Sequence, residues 1–74
     1  MKAIPPAAGD LPPSSKVVLL ILEGDGWMSV NDLLEATHLD RTTLHHALQR
    51  LLETPLVERR PSPHNPRGHE YRRR

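Results

Sequence analysis

Leu44, Ala47, Leu48, Leu51 and Leu52 follow one another at i, i+3, i+4, i+7 and i+8, the spacing of a helix that buries one face. No other stretch of the chain restricts its fold as strongly. The stripe begins just after Asp40, a good N-cap residue, and stops at Thr54-Pro55, because the residue before a proline is pushed out of the α region. The spacing therefore predicts a helix over about residues 40–54. On a helical wheel Thr42, His46, Gln49 and Glu53 lie almost opposite the leucines, with Thr43, His45 and Arg50 on the flanks. Solvated helix surfaces usually favour Glu, Lys and Gln, whereas Thr and His are poor helix formers. Short and planar hydrogen-bonding groups on this face point to a role in recognition, against the plainer alternative of an ordinary wet surface.

Seventy-four residues make one domain at most, and a chain of this size buries only about 60% of its unfolded surface. With no cysteine, neither a disulfide framework nor a Cys-based zinc site is open to it. Apolar packing, or pairing with another chain, must hold the fold together. The longest apolar run, Val17 to Leu22, is far short of the roughly 20 residues that span a bilayer, so no membrane association is expected. The start, "MKAIPPAAGDLPPSS", lacks the apolar core of a signal peptide, and a cytoplasmic location follows as the expectation.

Residues 1–13 carry prolines at 5, 6, 12 and 13 and no periodicity; they read as a flexible N-terminal arm, with the domain proper at 14–74. Ser14 or Ser15 is the expected N-cap of a first helix over "KVVLLILEG", apolar nearly all round and so buried on most sides. A buried strand is the competing reading of that run. Gly24 and Gly26 are placed to end it, since glycine takes positive φ readily. "WMS" is long enough only for a strand stub, and Trp27 in it is expected in the core. Ser29 and Asp32 form a capping-box variant ahead of Val30, Leu33, Leu34 and Thr37, a short amphipathic helix. His38 and Leu39 make the turn, with His38 a tolerable residue in the left-handed region. "LVERR" (56–60) and "HEYRR" (69–73) read as strands joined by the proline-rich "PSPHNPRG". The fold class is mainly α with a small β-hairpin.

The segment "LLEATHLDRTTLHHALQRLLETPLVERR" resembles the winged helix-turn-helix of transcriptional regulators, particularly the MarR-like and ArsR-like groups. Ala36 and Leu39 flank the turn, Thr42 and Thr43 open the third helix, and Leu44, Leu48 and Leu51 form its ladder. "LVERR" stands where the first wing strand begins, and "PRG" shortly before the second. The resemblance covers roughly residues 14–74. It departs from the family at His38 and Pro55, where glycine is usual, and it has no counterpart to the extra dimerisation helices of MarR-type regulators. It implies three helices, a strand stub and a two-stranded wing. It also implies double-stranded DNA as the partner, with the third helix in the major groove and the wing on the backbone or minor groove.

The charge pattern agrees. Residues 1–40 sum to −4, while residues 41–74, with eight arginines, sum to +5. Such asymmetry suits a polyanion-binding side, although a solvated tail would look the same. The expected contacts on the recognition helix are Arg41, Thr42, Thr43, His45, His46, Gln49 and Arg50. On the wing and tail they are Arg59, Arg60, His64, Arg67, Arg72 and Arg73, with Arg74 beyond. Gln49 can pair with adenine, the histidines can donate to guanine, and arginines can read a narrow minor groove by its potential. Four to six engaged arginines would give a log–log salt slope of roughly −4 to −6. His45 and His46 point about 100° apart on a helix and cannot share one ion. No metal, cofactor or small-molecule ligand is evident. Without a Ser/His/Asp arrangement, paired carboxylates or a phosphate loop, the sequence argues against an enzyme. A sequence-specific regulator, most simply a homodimeric repressor pairing through the first helix or the arm, is the leading expectation. A winged helix serving as a protein-interaction module, or as an accessory domain of a larger nucleic-acid machine, is the rival.

Overall fold

The computed structural model describes residues 11–24 and 26–74, so most of the expected N-terminal arm lies outside the described residues. The first helix, α1 (Pro13–Ile21), starts two or three residues earlier than a cap at Ser14 or Ser15 would give. Pro12 occupies the N-cap position and Pro13 the first helical position, where its fixed φ suits the helix and its missing N–H is not needed. Ser14 and Ser15 consequently lie inside the helix and cap nothing. Ser15 is fully buried, and its hydroxyl donates to the Ala47 carbonyl oxygen at 3.2 Å. Nor is α1 buried all round. Val18 and Leu19 face inward with Leu22 just beyond, while Val17 and Leu20 are 43% and 39% exposed. The helix ends at Leu22 with φ −79°, and no described glycine has positive φ, so the glycine stop expected there is not used.

Strand β1 (Met28–Ser29) leads directly into α2 (Val30–Thr37). Here the capping box forms as expected. The Asp32 amide donates to Ser29 Oγ at 3.1 Å, and the Ser29 amide donates to Asp32 Oδ2 at 3.0 Å. His38 closes α2 in the left-handed region at φ 59°. Asp40 then caps α3 (Arg41–Leu52), accepting the Thr43 amide at 3.4 Å. Thr54 stops α3 in the same way that Thr37 stops α2. Each hydroxyl donates back to the last turn, to Leu33 O at 2.7 Å and Leu51 O at 2.6 Å, and each accepts the amide two residues on.

The hairpin consists of β2 (Val57–Pro61) and β3 (His69–Arg73), one residue later at its start than "LVERR" predicts. Val57 pairs with Arg73 and Pro61 with His69. The stub does not stand apart. Met28 pairs with Tyr71 and Ser29 with Glu70, which makes a three-stranded antiparallel sheet in the order β1-β3-β2. Pro61 is tolerated because β2 is an edge strand. The core gathers Val18, Leu19 and Leu22 from the α1 side, Leu33 from α2, and Leu44, Ala47, Leu48 and Leu51 from α3. Val57 and Tyr71 close it from the sheet. Leu11 and Leu52 pack at its margin. Three helices, a strand stub and a two-stranded wing make this a winged helix, as the resemblance implied.

Replacing a fully buried leucine at the centre is expected to matter more than removing a cap. Leu48→Ala should cost about 3 kcal/mol and Ser29→Ala about 1 kcal/mol. Urea titrations would show both as lowered midpoints with an unchanged slope.

Candidate nucleic-acid interface

The inward turn of the leucines leaves the other side of α3 to solvent. Arg41, Thr42, His45, His46, Gln49 and Arg50 are all exposed, and Thr43 is half-buried. The polar face expected from spacing is therefore free, and three shallow clefts show how it is framed. The largest, about 330 Å³, runs between the first turns of α3 and the wing; Arg41 and His45 line one side, Ser62, Asn65, Arg67 and His69 the other, with Asn31 and Tyr71 between them. Beside it a cleft of about 170 Å³ brings His45 and Gln49 together with Arg59 and Tyr71. On the opposite flank Thr43, His46 and Arg50 border a cleft of about 210 Å³ against Pro12 and Ser14 at the start of α1. No carboxylate lines any of the three.

The recognition set thus divides along α3. Arg41, His45 and Gln49 turn toward the wing, Thr43, His46 and Arg50 turn toward α1, and Thr42 lines none of these clefts. Arg50 also approaches Glu53 at 3.9 Å, an exposed pair of little energetic weight.

Strand alternation divides the wing residues in the same manner. Arg59, paired with Tyr71, lies on the sheet face toward α3, as does His69 opposite Pro61. Glu58, Arg60, Glu70 and Arg72 lie on the other face. There Arg60 donates to Glu70 Oε1 from Nε at 3.0 Å and from a terminal nitrogen at 2.8 Å, and Arg72 donates to Glu58 Oε1 at 2.7 Å. Both guanidinium groups sit over the ring of Trp27, at 4.3 and 4.6 Å from its centroid. Trp27 is half-buried on the sheet and is not a core residue. Its ring goes to the two arginines because the step before Met28 shares the outer face with Arg72. Arg60 and Arg72 are accordingly separated from the α3 clefts by the sheet itself. Arg73 is half-buried and engaged within the fold, and Arg74 lies near Glu58 at 3.7 Å. None of these four lines a cleft beside α3.

The wing tip is built to hold its arginine. Asn65 Oδ1 accepts the Arg67 amide at 3.1 Å, the Gly68 amide donates to Asn65 O at 2.9 Å, and the Ser62 amide donates to Gly68 O at 3.0 Å. A Cβ at Gly68 would come within 3.2 to 3.3 Å of the Asn65 side chain, so the turn favours glycine there. His64, whose amide donates to Ser62 Oγ at 3.2 Å, is exposed at the tip and lines none of the clefts.

Sequence reasoning missed Asn31, Ser62, Asn65, His69 and Tyr71 as lining residues. For His69 the signal was available, since it lies two residues from the inward Tyr71. For Asn31 it was not, because only the pairing of β1 with β3 brings the start of α2 to the wing. No group of three or more His, Cys, Asp or Glu able to hold a metal occurs among the described residues, and none of their helices is long and apolar enough to cross a membrane.

Residues 10–68 match the sequence profile of the MarR family. In fold the chain is similar to the solved structure of Bordetella bronchiseptica BpsR, described for the regulation of that protein's DNA binding by 6-hydroxynicotinic acid. The TM-score is 0.77 at 27% identity, over 96% of this chain and 52% of that one. The present chain thus spans about half the length of its structural relative. No curated protein sequence matches it significantly.

The Thr43 hydroxyl and amide bond the Asp40 carboxylate and hold its pKa below the usual value. A lowered pKa in the folded state adds stability above the unfolded value, and this is lost as pH falls through the folded one. Asp40→Asn keeps a capping oxygen but does not titrate. Wild type should exceed it in stability at neutral pH, begin to lose that margin below about pH 3.9, and converge on it only once the pH has fallen through the lower folded value, in urea melts across the acid range.

Proposed function

The chain belongs to the MarR family, and on that premise we propose that it is a sequence-specific transcriptional regulator of double-stranded DNA. α3 enters the major groove, and the Arg67 tip of the wing follows the backbone into the flanking minor groove. The observation that carries this reading is the cleft between α3 and the wing. Arg41, His45, Arg67 and His69 converge there without a single carboxylate, while Glu58 and Glu70 are tied up on the far face of the sheet. A surface sorted in this way suits phosphates on either side of a groove that admits a helix. Gln49 and His45 stand where base edges would be met, Thr42 and His46 extend the same face, and Arg41, Arg50 and Arg59 lie within reach of the backbone.

Arg60 and Arg72, expected from the sequence among the contacts, are left out of this surface. The neutralised phosphates then fall to about three or four per chain, and the salt slope to about −3 to −4. Binding as a homodimer to two half-sites, and repression by occupying a promoter in the cytoplasm, complete the proposal. The exposed Val17 and Leu20 of α1 support pairing through that helix.

Selection of bound duplexes from a random pool, followed by titration at 50 and 200 mM salt, tests the reading. A bound, palindromic site and a steep loss with salt are the expected results; a slope near zero removes DNA binding. Gln49→Ala with His45→Ala should relax base preference and leave the slope nearly unchanged, whereas Arg67→Ala should lower its magnitude by about 1.

A further inference from the structure

The outer face of the sheet holds a cluster that the proposed DNA surface does not use. Trp27 stands immediately before β1, and β1 runs straight into the cap of α2, so the tryptophan belongs to the helical body. Arg60 stands near the end of β2, just ahead of the loop that carries Arg67, and Arg72 is on β3. Both guanidinium groups lie over the Trp27 ring, and each is gripped from the neighbouring wing strand, Arg60 by Glu70 and Arg72 by Glu58. The chain of contacts therefore crosses all three strands. A two-stranded ribbon is marginally stable by itself, and β1 adds only two paired residues to it. Partly exposed ion pairs add little alone, but a planar guanidinium stacked on indole and hydrogen-bonded to a carboxylate is held in one orientation. The ring is covered by arginine and faces away from α3, which leaves it no part in stacking on bases.

We propose that Trp27 is a positioning residue for duplex binding, which locks the inclination of the wing through Arg60 and Arg72 and acts on DNA only through the tip at Arg67. The inference rests on the DNA-binding reading above, and its test separates the two.

In the free protein, Trp27→Ala should raise the backbone mobility of residues 62–68 in NMR relaxation while a cooperative melt is retained. Trp27→Leu, which keeps apolar bulk without an aromatic face, serves if the alanine variant does not fold. Trp27→Phe should restore order. On a selected duplex, Trp27→Ala should lose about tenfold in affinity, the order expected for two partly exposed cation–π contacts, and Trp27→Phe about threefold or less. In an Arg67→Ala background the same Trp27→Ala change should shift affinity by less than about twofold, because both act through one contact. Equal losses in the two backgrounds would reveal a general stability effect and overturn the proposal. Unchanged loop order in both Trp27→Ala and Trp27→Leu would overturn it as well. Failure of the wild-type protein to bind any duplex would sink the DNA reading, and the relaxation data would still decide whether the lock exists.

Discussion

The seam between α1 and α3 sets the orientation of everything that faces outward. Two small residues meet there, Ser15 and Ala47, and the serine hydroxyl bonds the alanine carbonyl in the buried interior. Their size lets the helices approach closely, and Leu44, Leu48 and Leu51 then fill the space against Val18, Leu19 and Leu22. Turning α3 by one residue would carry leucines into water at roughly 2 kcal/mol each. It would also drive His45 or Gln49 toward a core with no partners for them. The exposed face of α3 is thus held in place by the opposite face, and its chemistry is free to vary without altering the fold.

The wing obeys a different periodicity with the same kind of consequence. Alternation along β2 and β3 sends Arg59, His69 and Tyr71 toward α3, and Glu58, Arg60, Glu70 and Arg72 away from it. Acidic and basic side chains are neutralised against one another on the outer face, while the two clefts between α3 and the wing hold Arg41, Arg59, Arg67, His45 and His69 with no carboxylate among their lining residues. A chain with a net charge of only +1 can in this way present a locally cationic groove.

Much of this was legible in the residues because it depends on neighbours a few positions apart. The capping box at Ser29 and Asp32, the left-handed His38, the Asp40 cap and the leucine stripe are short-range matters, and they formed as spacing required. Where reasoning from the sequence failed, a distant contact had overruled local preference. Ser15 would make a good cap, yet the helix already starts at Pro13, and the serine hydroxyl is instead taken up by the Ala47 carbonyl across the seam. Trp27 would make a good core residue, yet its place beside Arg72 and Arg60 turns it to the outer face.

The order of elements, the polar face of α3 and the arginine-rich hairpin are properties of the linear chain, since helical and strand periods alone produce them. Which arginines are already held by carboxylates and an indole is not such a property. That was decided by the strand register, which places Arg60 and Arg72 against carboxylates and an indole and leaves Arg59 and Arg67 facing α3. Identical side chains therefore acquire different surroundings. A guanidinium's usefulness depends on what already holds it, and only the assembled sheet determines that.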